Sequence, residues 1–212
     1  MATTATRERP ILFSSPMVRA ILEGRKSQTR RVVKPQPDAE SVMHMVYAGG
    51  SGRSESRRCP YGVPGDRLWV REKHQHTTTA RGEGVIVYAA DDEARFLLAE
   101  DGGEGDLCGV GGKADRSRCL PIDRWRPSIH MPRWASRLTL EVVSVRAERL
   151  QSITWSDAIA EGMKDPRRSV LRTHPIDPRA PRVQYAALWD EINGKGSWES
   201  GPWVWVVEFR RS

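Results

Sequence analysis

Cysteine is scarce: Cys59, Cys108 and Cys119 are all that 212 residues contain. An odd count without paired spacing excludes a disulfide framework as the source of stability. Apolar runs are short as well, and none approaches the roughly 20 residues that a membrane-crossing helix needs. The opening stretch MATTATRERPILF lacks a basic region followed by an apolar core, the pattern of a secretory signal. A cytoplasmic protein without membrane contact is therefore expected. Also missing are a phosphate-cradling glycine loop, a dinucleotide fingerprint, a zinc-protease helix and a nucleophile elbow, so no cofactor is expected. His74 and His76 follow Cys59 in sequence, but their spacing matches no standard zinc pattern, and no metal is expected.

Positive charge is plentiful. Lys and Arg number 34 against 27 Asp and Glu, a formal charge of +7. Most of these cations are arginines, whose planar fork suits phosphates and base edges. The excess either serves solubility or answers an anionic partner such as RNA or DNA. With 38% hydrophobic and 29% charged residues the chain reads as globular, and its length suits one large domain. That domain is expected over 10–212, after a loose tail at 1–9. Polar, Gly-rich insertions are expected near 36–58 and 101–118.

Ile11 to Phe13 begins a strand, and Ser15-Pro16 starts a helix whose Val18, Ile21 and Leu22 share one face. Gly24 suits a left-handed cap for it. Further strands are expected at 68–70, 85–90, 138–145 and 203–209; in the last, Trp203, Trp205, Val207 and Phe209 share one side. Thr154 with Asp157 three residues later marks a helix start leading into 155–162. Tyr185, Leu188, Trp189 and Ile192 mark a final helix closed by Asn193-Gly194. Short strands with few helices predict a mixed α+β fold, a closed or nearly closed barrel with helical caps, and not a doubly wound sheet.

Lys26-Ser27-Gln28-Thr29-Arg30-Arg31 is the densest chemical segment. On a helical or tight-turn backbone Lys26 and Thr29 would face one cleft, the lysine as base for the threonine hydroxyl. Such a base needs a lowered pKa, which Arg25, Arg30 and Arg31 would favour by adding positive charge. The alternative is a solvated basic turn. Glu161, near the end of the 155–162 helix, would orient the lysine if the fold brings them together. Trp125 and Trp134 bracket Arg126, His130 and Arg133, the materials of a base-stacking clamp; packing of these rings against the sheet is the alternative.

GRKSQTRR after a short helix, YGVPGDRLWVRE, the strand at 138–145, AIAEGM and the terminal WVWVVEF together resemble the ASCH domains of the PUA-like superfamily. The likeness is greatest to larger ASCH proteins of phages and prophages. It implies a PUA-like β-barrel with peripheral helices and polar loop insertions. Small ASCH amidohydrolases remove an acyl group from the exocyclic amine of cytidine. Their signature resembles G-R-K-T-x-T-x-R with a downstream Glu, which carries onto Lys26, Thr29, Arg31 and Glu161. Ser27 stands where the signature has threonine, and Arg30 where it has an apolar residue; both departures reshape the pocket. The resemblance implies Lys26, Thr29 and Glu161 as catalytic. Substrate contacts are expected from Arg31, Ser27, Arg30, Trp125, His130, Arg133 and Trp134. The implied partner is a modified nucleoside or nucleobase. The alternative is a module that binds RNA or modified nucleic acid, with or without ribonuclease activity.

Overall fold

The computed structural model describes residues 6–37, 59–99, 107–168 and 177–212, and divides the chain into two units. Unit 1 comprises Met1–Leu22, Asp66–Glu141 and Arg211–Ser212; unit 2 comprises Glu23–Gly65 and Val142–Arg210. Of the expected tail and insertions, 1–5, 38–58 and 101–106 lie outside the described residues, while β1 begins at Glu8 and 107–118 is described.

In unit 1, β1 (Glu8–Leu12) runs parallel to β3 (Arg67–Arg71), with Ile11 opposite Val70. The start of β8 (Thr139–Arg149) pairs antiparallel with β3, Leu140 opposite Leu68. Between β1 and β3 in sequence lies α1 (Ser15–Leu22), which buries Val18, Ala20 and Ile21. Gly24, at φ +70°, follows it in the left-handed conformation expected of the cap. A second sheet is an antiparallel meander of β4 (His74–Thr78), β5 (Gly84–Tyr88), β6 (Ala94–Ala99) and β7 (Leu107–Ala114). Ile86, Tyr88, Met131 and Ala135 form a buried cluster on it, with Leu97, Val110 and Trp134 packed alongside.

Unit 2 holds β2 (Gln28–Val32), the rest of β8, α2 (Trp155–Ala160), α3 (Ala180–Asn193) and most of β9 (Trp203–Arg211). β2 and β9 pair antiparallel, Thr29 opposite Val207. Val204 and Val206 of β9 pack with Leu150, Ile153, Ala158, Tyr185 and Trp189. Trp205, Val207 and Phe209, on the alternate side, are buried too. The strand is thus covered on both faces, which explains its nearly unbroken apolar run.

A mixed α+β fold dominated by strands is what the sequence predicts, but the barrel is not what forms. The described strands make two open sheets, in the orders β1-β3-β8-β9-β2 and β4-β5-β6-β7. Closure requires the edge strands of a sheet to find each other, and here β1 bonds to β3 and β2 to β9. Besides β2, three strands escape the sequence pattern. β4 reads HQHTT and has no apolar alternation; β6 reads ARFLLA, without a clean alternation; β7 contains three glycines. Those glycines suggest an irregular excursion, yet β7 is an edge strand bonded to β6, where little side-chain packing is demanded.

Candidate functional site

The basic segment after α1 is extended and not a turn. Lys26 forms an isolated backbone bridge with Glu161, Ser27 N donates to Ala160 O at 2.9 Å, and β2 begins at Gln28. On an extended backbone alternate residues share a side, and the contacts follow that rule. Lys26 Nζ donates to Glu161 Oε2 at 2.7 Å, Gln28 Nε2 to Asp157 Oδ1 at 3.2 Å, and Arg30 Nη1 to Glu161 Oε1 at 3.2 Å. Thr29 and Arg31 fall on the other side. Thr29 is buried opposite Val207, and the Arg31 guanidinium stands 5.9 Å from the centre of the Tyr61 ring. A three-residue separation unites side chains on a helix and parts them on a strand, so the expected common cleft for Lys26 and Thr29 does not form.

Glu161 does meet Lys26. α2 is fixed at its start by a reciprocal capping box between Thr154 and Asp157 and ends at Ala160, leaving Glu161 as its C-cap. A carboxylate at that end of a helix is poorly placed on its own. Lys26 offsets this twice, since Nζ also donates to the Glu161 backbone oxygen at 2.9 Å. Arg30 extends the cluster: Nη2 donates to Glu148 Oε1 at 2.6 Å and lies 3.4 Å from Asp157 Oδ2. Arg146 joins Glu148, Asp157 and Glu208.

Lys26 and Glu161 are 3% and 4% exposed, and the Arg30 side chain is fully buried. Burial pushes the Lys26 ammonium below its usual 10.5, Glu161 acts against that shift, and Arg31 and Arg30 add to it. Burial, and next the charge of Glu161, push the Tyr185 phenol well up, which keeps it a neutral hydroxyl beside the pair. Residues next to the pair in sequence line a cavity of about 250 Å³, formed by Gly24, Arg25, Ser27, Ser156, Ile159, Ala160, Met163 and Asp165; Lys26 and Glu161 are not in its wall. Ser27 and Ser156 are the hydroxyl residues in its wall; Thr29, only 2% exposed, does not line it.

The clamp residues belong to unit 1 and are engaged in structure. Arg133 holds Glu8 through Nε at 2.9 Å and Nη2 at 3.3 Å, with its guanidinium 6.0 Å from the centre of the Trp69 ring. Trp134 packs against the Ile86 cluster and stands 5.5 Å from the His76 ring. Trp125 is half-buried and His130 exposed, the latter on a 3-10 turn. Sequence reasoning missed Glu148, Asp157 and Tyr185 as members of the ion cluster. Asp157 and Tyr185 were legible only as a cap and a helix face. Among the described residues no helix is long and apolar enough to cross a membrane.

No family model, curated protein or solved structure matches this chain.

Proposed function

We propose that the protein is an amidohydrolase that removes an acyl group from the exocyclic amine of an N4-acylated cytosine base or nucleoside. The observation that carries this reading is the buried Lys26–Glu161 pair, joined across 135 positions of sequence at 2.7 Å, whose sequence neighbours Arg25, Ser27 and Ala160 line a cavity. At about 250 Å³ the cavity falls below the roughly 300–1,000 Å³ of drug-sized pockets, which suits a base or nucleoside better than a polymer.

The reaction needs a group that takes a proton from the nucleophile and returns it to the leaving nitrogen. Lys26, its ammonium destabilised by burial, is that group once Nζ leaves Glu161 and swings to the side of the segment where Arg25 and Ser27 line the cavity. The neutral amine takes a proton from water, the water oxygen bonds to the acyl carbon, and the C–N bond breaks as Lys26 returns the proton to the departing amine. A carboxylic acid, which then loses its proton to solvent, and cytosine are released. Glu161 holds Lys26, and Arg30 holds Glu161. Arg25 and Ser27, both in the cavity wall, donate to the oxyanion. Water is the nucleophile in this reading because Thr29, 2% exposed, is not in the cavity wall.

The test is turnover of a panel of N4-acylated cytosines, cytidines and deoxycytidines, followed by mass spectrometry for the wild type, Lys26→Met and Glu161→Gln. Deacylation by the wild type, lost in both variants with the fold retained, supports the reading. A folded wild type that leaves every substrate intact rejects it, and tight salt-dependent RNA binding in its place would establish the binding-module alternative.

A further inference from the structure

α2 ends in a turn that brings an apolar side chain into the cavity wall. After the C-cap Glu161, Gly162 takes the left-handed conformation at φ +100°. Gly162 N donates to Ile159 O at 2.8 Å and Met163 N to Ala158 O at 3.1 Å, the paired bonds of a Schellman motif. That reversal folds Met163 back along the helix, where it packs against the buried cluster containing Ala158 and Tyr185. Arg25 Nη1 donates to Gly162 O at 2.9 Å. One cap therefore fixes Met163 and Arg25 together, and both line the cavity.

The wall is divided by chemistry. Arg25, Ser27, Ser156 and Asp165 are polar, whereas Ile159, Ala160 and Met163 present hydrocarbon. Arg167 grips the Asp165 carboxylate through Nε at 3.0 Å and Nη2 at 3.2 Å, and its guanidinium stands 5.1 Å from the centre of the Trp155 ring. An ion pair held in place there makes that part of the wall a poor neighbour for an alkyl group, which would strip water from the charges. The reacting carbon of an acylated base carries an oxygen, the base nitrogen and the acyl chain. With Arg25 and Ser27 turned to the oxygen, the chain gains from leaving water only against Ile159, Ala160 and Met163.

We infer, resting on the amidohydrolase reading, that Ile159 and Met163 form an acyl subsite that admits a short aliphatic chain and limits its length. A cavity of about 250 Å³, small beside drug-sized pockets, leaves no room for a long chain next to the base. Met163 is the adjustable part of this limit, being unbranched and soft, while Ile159 is fixed on α2.

The test compares kcat/KM for N4-acetyl-, N4-butyryl- and N4-hexanoylcytidine in the wild type, Met163→Ala and Ile159→Phe. The wild type should favour acetyl over hexanoyl. Met163→Ala should raise the hexanoyl-to-acetyl ratio about tenfold, and Ile159→Phe should lower the butyryl-to-acetyl ratio about tenfold. Each ratio is taken within one preparation, so a loss of folded protein cancels from it, and Ile159→Phe decides the matter if Met163→Ala does not fold. Deacylation with unchanged ratios overturns the subsite and leaves the amidohydrolase reading standing. A folded wild type inactive on all of these substrates overturns both.

Discussion

Each unit buries an ion pair, and the two pairs use their cations differently. In unit 1, Arg137 clasps Glu72 through Nε at 2.9 Å and Nη2 at 3.0 Å, with side chains 2% and 1% exposed. Asp91 and Glu93 add further carboxylates, and the guanidinium stands 4.1 Å from the centre of the Tyr88 ring. Burial opposes the Arg137 charge, but its carboxylate partners push its pKa above an already high value, so it stays charged at every pH the fold survives. Unit 2 encloses Lys26 just as tightly, yet burial pushes the lysine down. One cation is a permanent bolt, and the other holds its proton less tightly than a free lysine does. The choice of arginine or lysine separates them, because only the lysine has a proton that burial can loosen.

Arg137→Met should give the largest effect. It strands Glu72, whose pKa burial already raises against the pull of Arg137. A loss of about 3–5 kcal/mol is expected, read by denaturant unfolding. Lys26→Met should cost less stability, because Glu161 keeps Arg30, while reducing deacylation by about 10²-fold or more; comparable unfolding losses in the two variants would break the contrast. Lys26→Arg sharpens it: the pair keeps its charge, the titration disappears, and a folded but inactive protein is expected.

Smaller effects lie in the pH dependence. Lys26 has a folded-state pKa below 10.5, so the unfolded chain binds its proton more tightly. Wild-type stability should therefore rise relative to Lys26→Met as pH climbs from that lowered value toward 10.5. On the acid side, burial first, then the charges of His74 and Arg126, push His76 down from 6.5 to about 4. The unfolded state again binds the proton better, so stability is lost as pH falls through that window. A folded His76→Gln chain should lose less, as measured by thermal unfolding at stepped pH.

Local features were legible where neighbours in sequence decide them. Thr154 and Asp157 make the capping box their spacing announces, Gly24 takes its left-handed turn, and Tyr185 and Trp189 bury the face their period marks. Ile192, on the same expected stripe, is 54% exposed, because the stripe outlasts the surface that covers it. The 26–31 segment misled for a similar reason. Its charges suggest a solvated turn or a one-sided cleft, whereas Glu148, Asp157 and Glu161 make it affordable to bury Lys26 and Arg30 in an extended segment.

By itself the sequence determined the caps, the helix faces, the apolar strands and the presence of a lysine and a glutamate suited to acid–base chemistry. These depend on spacing over a few residues, which the chain carries locally. Tertiary structure alone decided that Lys26 meets Glu161 while Thr29 turns away, that Arg137 locks Glu72, and that two histidines of β4 lie buried with unpartnered nitrogens. Those outcomes depend on which distant segments arrive beside a strand, and on the water they exclude when they do.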